Sequence, residues 1–110
     1  MTTGIELIAA ERTRQIEVER FDASHDWYHP EGTLAVAAAC YALPTAERLM
    51  ALECDENGVP EVWPWEPKMF KPTPGDRKRE LIKAGALIAA ELDKILLEED
   101  FQRYQSEHKQ

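Results

Sequence analysis

Cysteine is scarce in this chain of 110 residues, and long apolar runs are missing. The two cysteines, Cys40 and Cys54, are too few for a disulfide framework and lack the CxxC spacing of many zinc sites. No apolar run approaches the roughly 18 residues that a membrane span needs. The N-terminus has neither the basic nor the apolar region of a signal peptide. These absences predict a cytoplasmic protein with reduced cysteines and no membrane contact.

Positive charge is also in the minority, with 13 Lys and Arg against 21 Asp and Glu and a net charge of −8. This excess of negative charge repels phosphates at long range, so we expect no general nucleic-acid binding. One stretch departs from the pattern by concentrating basic side chains. Its members are Lys68, Lys71, Arg77, Lys78, Arg79 and Lys83. Such a stretch could hold an anion locally.

The helix signals predict an all-α fold in a single domain spanning residues 1–110. Three main helices are expected at residues 4–20, 30–43 and 74–104, and residues 105–110 are expected to fray. Thr3 and Glu6 have the spacing of a capping box at the start of the first helix. The second helix is apolar all round, which is typical of a central position in a domain.

Residues 44–73 are rich in proline and contain two tryptophans, so they are expected to be irregular. A short helix is predicted at residues 46–52. The turn residues Asp55 to Gly58 predict the tip of a small hairpin.

The first helix should direct polar side chains toward the core. At 100° per residue, four polar residues share the arc of its apolar positions, namely Glu11, Arg12, Gln15 and Glu19. Burying a charged side chain costs free energy unless the charge is ion-paired or contacts a ligand. The sequence leaves two interpretations open: an ion pair of the Arg12–Glu19 type, or a ligand cavity lined by these side chains.

The loop that follows the first helix is the main candidate site. It contains His25, Asp26 and His29 between Phe21 and Gly32. These side chains could ligate a metal, contact a phosphate or other anion, or cap the second helix. Metal binding is a weak signal here, because two His and one Asp are few ligands.

Two further features bear on ligands and packing. Trp63 and Trp65 could stack on a nucleobase or close a small core. Gly85 lies among alanines of the third helix, which predicts close packing against the second helix at Ala35, Ala38 and Ala42.

The third helix has apolar residues on two faces. Leu81, Ile88 and Leu92 belong to one face, whereas Leu87 and Leu97 belong to the other. One helix with two faces to bury predicts a homo-oligomer, most simply a symmetric dimer.

Several segments together resemble one known family. They are Gly4 to Gln15, the His25-Asp26-Xaa-Xaa-His29 loop, Trp63-Pro64-Trp65, Lys71-Pro72, and Asp76-Arg77 with Leu81 to Leu92. From Gly4 to about Lys94 the chain resembles small proteins encoded by bacteriophages and prophages. This resemblance implies an accessory protein in the host cell cytoplasm but no particular reaction. The usual loop of the family reads His-Asp-Asp, where this sequence has His25-Asp26-Trp27 and one fewer metal ligand.

The run from Glu11 to Gln15 and the alanine-rich segment from Lys83 to Asp93 are also similar, more remotely, to all-α NTP pyrophosphohydrolases of the MazG type. These enzymes hold Mg²⁺ with E-x-x-E and E-x-x-D pairs on two helices. The second predicted helix has no acid between Thr33 and Leu43. The resemblance therefore implies nucleotide binding in a helical pocket, with Mg²⁺ or another divalent metal as the cofactor to consider, and transfers no catalytic residue.

The sequence leaves three functional hypotheses. The first is non-catalytic binding of a nucleotide or other phosphate-bearing ligand between the first helix and the His-Asp loop. The second is an acidic interaction protein that inhibits a host defence protein, and the third is a metal-dependent MazG-like hydrolase. The candidate ligand-binding residues are Glu11, Arg12, Gln15, Glu19, His25, Asp26, His29, Trp63, Trp65 and Lys83.

Overall fold

The structure is a computed structural model, and it describes residues 1–18 and 32–108. Within these residues it contains four α-helices, a 3₁₀ turn at Pro67–Met69 and no strand, which confirms the all-α fold. The helices are α1 (Gly4–Glu17), α2 (Thr33–Ala42), α3 (Thr45–Ala51) and α4 (Arg77–Glu107). None of the helices in the described part of the chain is both long and apolar enough to cross a membrane.

The ends of α1 and α2 follow from their capping residues. The capping box at the start of α1 is confirmed, with the Glu6 amide donating to Thr3 Oγ1 at 3.2 Å and the Thr3 amide donating to Glu6 Oε1 at 3.0 Å. This helix ends at Glu17, three residues before the predicted end. The predicted start of α2 at residue 30 is wrong, because Gly32 at φ 86° sets a left-handed N-cap and the helix begins at Thr33.

The last helix also begins later than predicted. Gly75 has a φ of 85°, which a continuing helix does not allow, and α4 starts only at Arg77. Asp76 is its N-cap and accepts a hydrogen bond from the Arg79 amide at 3.1 Å. The helix continues to Glu107, three residues beyond the predicted end.

Between α2 and α4, the predicted short helix is confirmed as α3. The predicted hairpin is reduced to one antiparallel bridge between Cys54 and Pro60. Asp55 organises the turn, because its Oδ1 accepts hydrogen bonds from the Asn57 and Val59 amides, each at 2.9 Å. Two backbone hydrogen bonds flank the bridge, from the Asp55 amide to the Val59 carbonyl at 2.9 Å and from the Glu61 amide to the Glu53 carbonyl at 2.6 Å.

Helix α4 is the central element, and both α1 and α2 pack against it. Since Glu91 accepts from the Ala35 amide while Arg77 donates to the Ala42 carbonyl, α2 runs antiparallel to the first half of α4. The core between these helices and the 44–76 segment is rich in alanine and aromatic side chains. It consists of Leu34, Ala37, Ala38, Cys40, Tyr41, Trp63, Phe70, Ala84, Leu87 and Ala90.

Gly85 permits the close approach of α1 to α4. A Cβ atom at this position would lie 2.5 Å from Ile8 Cδ1 and 2.7 Å from Ile8 Cγ1. The sequence predicted that Gly85 packs against alanines of α2, and this prediction is wrong, because the nearest side chain is Ile8 of α1. A branched side chain of α1, rather than a small residue of α2, takes the space that the glycine leaves.

A buried ion pair joins α3 to α4. Arg48 and Glu80 are 2% and 3% exposed and lie 3.3 Å apart. The Arg48 guanidinium also donates to the Cys40 carbonyl at 2.7 Å and to the Leu43 carbonyl at 2.9 Å. Because these carbonyls belong to the C-terminal end of α2, the arginine satisfies acceptors that the helix cannot satisfy itself.

The molecule is elongated along α4. The 31 residues of this helix span about 46 Å at 1.5 Å per residue. From residue 95 to residue 107 every side chain is exposed. The radius of gyration is 15.9 Å, against about 13 Å for a compact domain of this length.

Candidate functional site: a polar cluster between α1 and α4

The first helix buries its polar side. Its three buried residues are Glu11, Arg12 and Gln15, which are 4%, 7% and 5% exposed, whereas Ile5 is 82% exposed. The predicted polar arc thus faces the interior, against the usual preference of a helix to bury its apolar stripe. Polar groups that are buried in this way must be hydrogen-bonded or ion-paired within the protein, or must contact a ligand.

Glu11 lies at the centre of these polar groups. Its carboxylate accepts from Arg14 at 2.8 and 3.0 Å, from Arg79 at 2.9 Å and from Gln15 Nε2 at 3.3 Å. Burial raises the pKa of Glu11, but the hydrogen bonds and charges of Arg14 and Arg79 outweigh burial and lower this pKa from 4.5 to about 2. Glu11 is therefore ionised at neutral pH and cannot act as a general acid.

Gln15 has one polar atom that the fold leaves unused. Its Nε2 donates to Glu11, while its Oε1 is the one buried side-chain nitrogen or oxygen without a hydrogen-bond partner in the described ranges. A buried unsatisfied acceptor costs about 1–3 kcal/mol. This carbonyl is consequently available to an N–H or O–H donor that enters the cluster.

Lys83 brings a further positive charge to the same side of α4. It is half-buried, its Nζ donates to the Lys71 carbonyl at 2.8 Å, and it lies 5.4 Å from the centroid of the Tyr41 ring. Burial lowers the pKa of Lys83, and the charge of Arg79, one helical turn away, lowers it further. We define the α1–α4 polar cluster as Glu11, Arg14, Gln15, Arg79 and Lys83.

Arg12 has a different role. Its Nε donates to Asp93 Oδ2 at 3.0 Å, which ties α1 to a later turn of α4. The other partner that the sequence suggested, Glu19, lies outside the described residues. Arg12 thus contributes to docking α1 onto α4.

The predicted His-Asp loop also lies outside the described residues, so His25, Asp26 and His29 have no placement here. In residues 1–18 and 32–108, no group of three or more His, Cys, Asp or Glu residues is arranged to hold a metal ion.

The two tryptophans belong to a separate region. Trp63 is buried in the core, where its ring packs on Tyr41 and Phe70 at centroid distances of 5.6 and 4.9 Å and its Nε1 donates to the Glu66 carbonyl at 3.0 Å. Trp65 is partly buried and contacts Trp63 edge-on at 5.3 Å. Trp63 accordingly has the core position that one interpretation of the sequence gave it.

Both tryptophans line a groove of about 320 Å³, which we call the tryptophan groove. Its walls are formed by Glu53, Cys54, Asp55, Val59, Pro60, Glu61, Trp63, Trp65 and Pro67. Three of these residues are acidic, and none is basic. Since Glu11, Arg12, Gln15 and Lys83 do not line this groove, the predicted site residues fall into two groups.

Comparison of the chain with models of known protein families, with curated proteins and with solved structures finds no match.

Two members of the polar cluster were not among the predicted site residues. Arg14 precedes Gln15 in the first helix, and Arg79 belongs to the basic stretch that the sequence shows. The signal that could have indicated them is charge matching, because a buried Glu11 requires cationic partners within reach. Which cations of the basic stretch lie opposite Glu11 depends on the docking of α1 onto α4.

Proposed function

We propose that this protein binds a nucleotide or another phosphate-bearing small ligand at the α1–α4 polar cluster, without hydrolysing it. The observation that carries the proposal is the local excess of positive charge in an otherwise acidic protein. Arg14 and Arg79 bind the Glu11 carboxylate, Lys83 lies one helical turn from Arg79, and the Glu80 carboxylate, which also acts on Lys83, is paired with Arg48. Burial is the main cause of the lowered pKa of Lys83, and repulsion by Arg79 adds to it; an anion close to these groups would offset that repulsion.

The unpartnered Oε1 of Gln15 supports a ligand that also carries donors. A nucleotide combines phosphate oxygens for the cations with sugar hydroxyls or base N–H groups for this acceptor. In sequence, the His-Asp loop follows directly after the last turn of α1, which carries Arg14 and Gln15. We therefore keep His25, Asp26 and His29 as candidate contacts to the same ligand.

Binding without hydrolysis is supported by the state of the carboxylates. MazG-type chemistry requires several carboxylates that hold Mg²⁺ next to the phosphates. The buried carboxylates of the described residues are Glu11 and Glu80, and both are engaged by arginines, at 2.9 Å from Arg79 and 3.3 Å from Arg48 respectively. Helix α2 contributes no acid at all.

The test is calorimetric titration with ATP, a set of dNTPs and inorganic tripolyphosphate, each with and without Mg²⁺. Arg79→Gln should weaken binding by at least about tenfold, because a charge-assisted contact to phosphate is lost. Lys78→Gln is the matched control, since it removes the same charge from the neighbouring, exposed position of α4. It should change the affinity by less than about twofold, as expected for a screened surface charge.

The proposal also predicts a direction with pH. Because a bound anion favours the charged form of Lys83, affinity should fall as the pH rises through the lowered pKa of this lysine. No binding at millimolar ligand, or equal losses for Arg79→Gln and Lys78→Gln, would contradict the proposed site. Release of pyrophosphate above background would contradict the absence of catalysis.

A second candidate function has its own supporting observation, the acidic tryptophan groove. Its volume of about 320 Å³ lies at the lower end of the roughly 300–1,000 Å³ of small-molecule pockets, which suits a single side chain. Three carboxylates and a partly buried indole favour a lysine or arginine side chain, through charge and cation–π attraction. With the phage resemblance, this groove supports an interaction protein that holds a basic segment of a host defence protein.

In a Trp27→Phe background, which removes the third tryptophan of the chain from the His-Asp loop, the fluorescence of Trp63 and Trp65 distinguishes the two candidates. If the groove is the functional site, a lysine-rich peptide should change this fluorescence, whereas tripolyphosphate should not. Combined Glu53→Gln and Glu61→Gln substitutions should lower the affinity for the peptide by about tenfold. Glu56→Gln, at an exposed position of the same turn outside the groove, is the control. If the double variant binds the peptide with unchanged affinity, the tryptophan groove is not the functional site.

A further inference from the structure

An apolar stripe on α4 is exposed in the described part of the chain. Leu81, Ile88, Leu92 and Ile95 are 47%, 50%, 54% and 37% exposed. Their spacings of seven, four and three residues repeat like the seam of a coiled coil. At Gly85, inside this repeat, Ile8 of α1 fills the space that a side chain would occupy, so the apolar surface continues onto α1.

We propose that the stripe packs against the same stripe of a second copy of this chain, with the two α4 helices antiparallel about a twofold axis near Ile88. Such an interface is isologous, so each contact occurs twice. Leu81 then faces Ile95 of the partner subunit, and Ile88 faces its own copy across the axis.

The orientation follows from the charges that flank the stripe. Before it, α4 carries the basic run Arg77 to Arg79, and after it the acidic run Glu98 to Asp100. A parallel pair would place like charges opposite each other, which is destabilising. In the antiparallel pair the exposed Lys78 lies near Glu98 of the partner subunit. Opposite charges therefore meet at both ends of the interface.

The same charges argue against a lipid surface as the occupant of the stripe. Helices that lie on membranes combine an apolar face with Lys and Arg along its borders. Here Glu99 continues the line of the stripe and Glu98 and Asp100 adjoin it, so anionic headgroups would be repelled. A second copy provides the complementary charge that a membrane lacks.

Light scattering tests the association. The chain should have twice its monomer mass of 12.6 kDa at micromolar concentration, and Ile88→Asp should return it to the monomer mass. Leu49→Asp is the matched control, because Leu49 is 54% exposed on α3, away from the stripe, and should leave the dimer intact. Circular dichroism must show that both variants keep their helices. A wild-type monomer, or a dimer that survives Ile88→Asp, would overturn the proposal.

Crosslinking tests the orientation separately. In a Cys54→Ser background, chains with Leu81→Cys should form disulfides with chains that carry Ile95→Cys, and neither should crosslink efficiently to itself. Cys40 is fully buried and should not interfere. Self-crosslinking of each variant would indicate a parallel pair and overturn the antiparallel arrangement. Lys78→Glu should weaken the dimer, and Lys78→Glu combined with Glu98→Lys should restore it.

Discussion

Glu80→Ala is expected to lower the free energy of unfolding by about 3–5 kcal/mol, the cost of removing one partner from a buried ion pair. The Arg48 guanidinium is 2% exposed and lies 3.3 Å from the Glu80 carboxylate. Without this carboxylate, the positive charge of Arg48 stays buried with no anion to pair with, next to the Cys40 and Leu43 carbonyls and the Phe70 ring. The Thr73 amide, which donates to Glu80 at 3.2 Å, also loses its acceptor.

Urea unfolding followed by circular dichroism measures this loss. Glu107→Ala is the control on the same helix, because Glu107 is exposed, lies outside the proposed dimer interface and should change stability by less than about 0.5 kcal/mol. Arg48→Met should also lower the stability, since it removes the nearer cation of the Glu80 carboxylate, with Arg77 remaining at 3.6 Å, and leaves the Cys40 and Leu43 carbonyls without their donor. Equal stabilities for Glu80→Ala and Glu107→Ala would mean that the ion pair contributes nothing.

The local part of this fold could be predicted from the sequence. The capping box of Thr3 and Glu6, the short helix after Pro44 and the long helix after Asp76 each have a signal within a few residues. The errors in helix bounds arise at two glycines. Gly32 and Gly75 adopt left-handed conformations, at φ 86° and 85°, and each delays the start of the helix that follows. Pro30 and Pro74 each predict a helix start, but the glycine that follows each proline moves the observed start to a later residue.

The ion pairs between distant segments of the chain could not be predicted from the sequence. The polar arc of α1 was predictable from its periodicity, but its partners Arg79 and Asp93 are 68 and 81 residues from Glu11 and Arg12. The pairing of Arg48 with Glu80 likewise spans 32 residues, and no local pattern marks either residue as buried. Charge alone offers many combinations in a chain with 34 acidic and basic residues, of which 21 are acidic and 13 basic. The docking of the helices selects among them.

At Gly85 the sequence predicts a close helix contact correctly but assigns it to the wrong partner helix. A glycine among alanines does mark a close helix contact, as the sequence indicated. The partner is Ile8 rather than the alanines of α2, because α1 and α2 both lie against α4 and a helix sequence does not record which neighbour meets which face.

Gly85→Ala should therefore destabilise the protein, although alanine is the better helix former. The new Cβ would lie 2.5 to 3.3 Å from three atoms of the Ile8 side chain. Overpacking of this kind costs about 1–3 kcal/mol, against a gain of about 1 kcal/mol from helix propensity. Because both γ carbons of Ile8 must shift as well as its tip, the cost should exceed the gain, and we expect a net loss of up to about 2 kcal/mol in urea unfolding.

Two comparisons identify the cause. Gly4→Ala introduces the same methyl group into α1 at a position with no atom within 4 Å, and it should be neutral or slightly stabilising. Ile8→Ala removes the three atoms that the new Cβ would meet, at the cost of its own buried surface. In that background Gly85→Ala should become stabilising by up to about 1 kcal/mol, because the propensity gain remains and the overlap is gone. If Gly85→Ala costs the same with and without Ile8, the contact between α1 and α4 is not what requires glycine at this position.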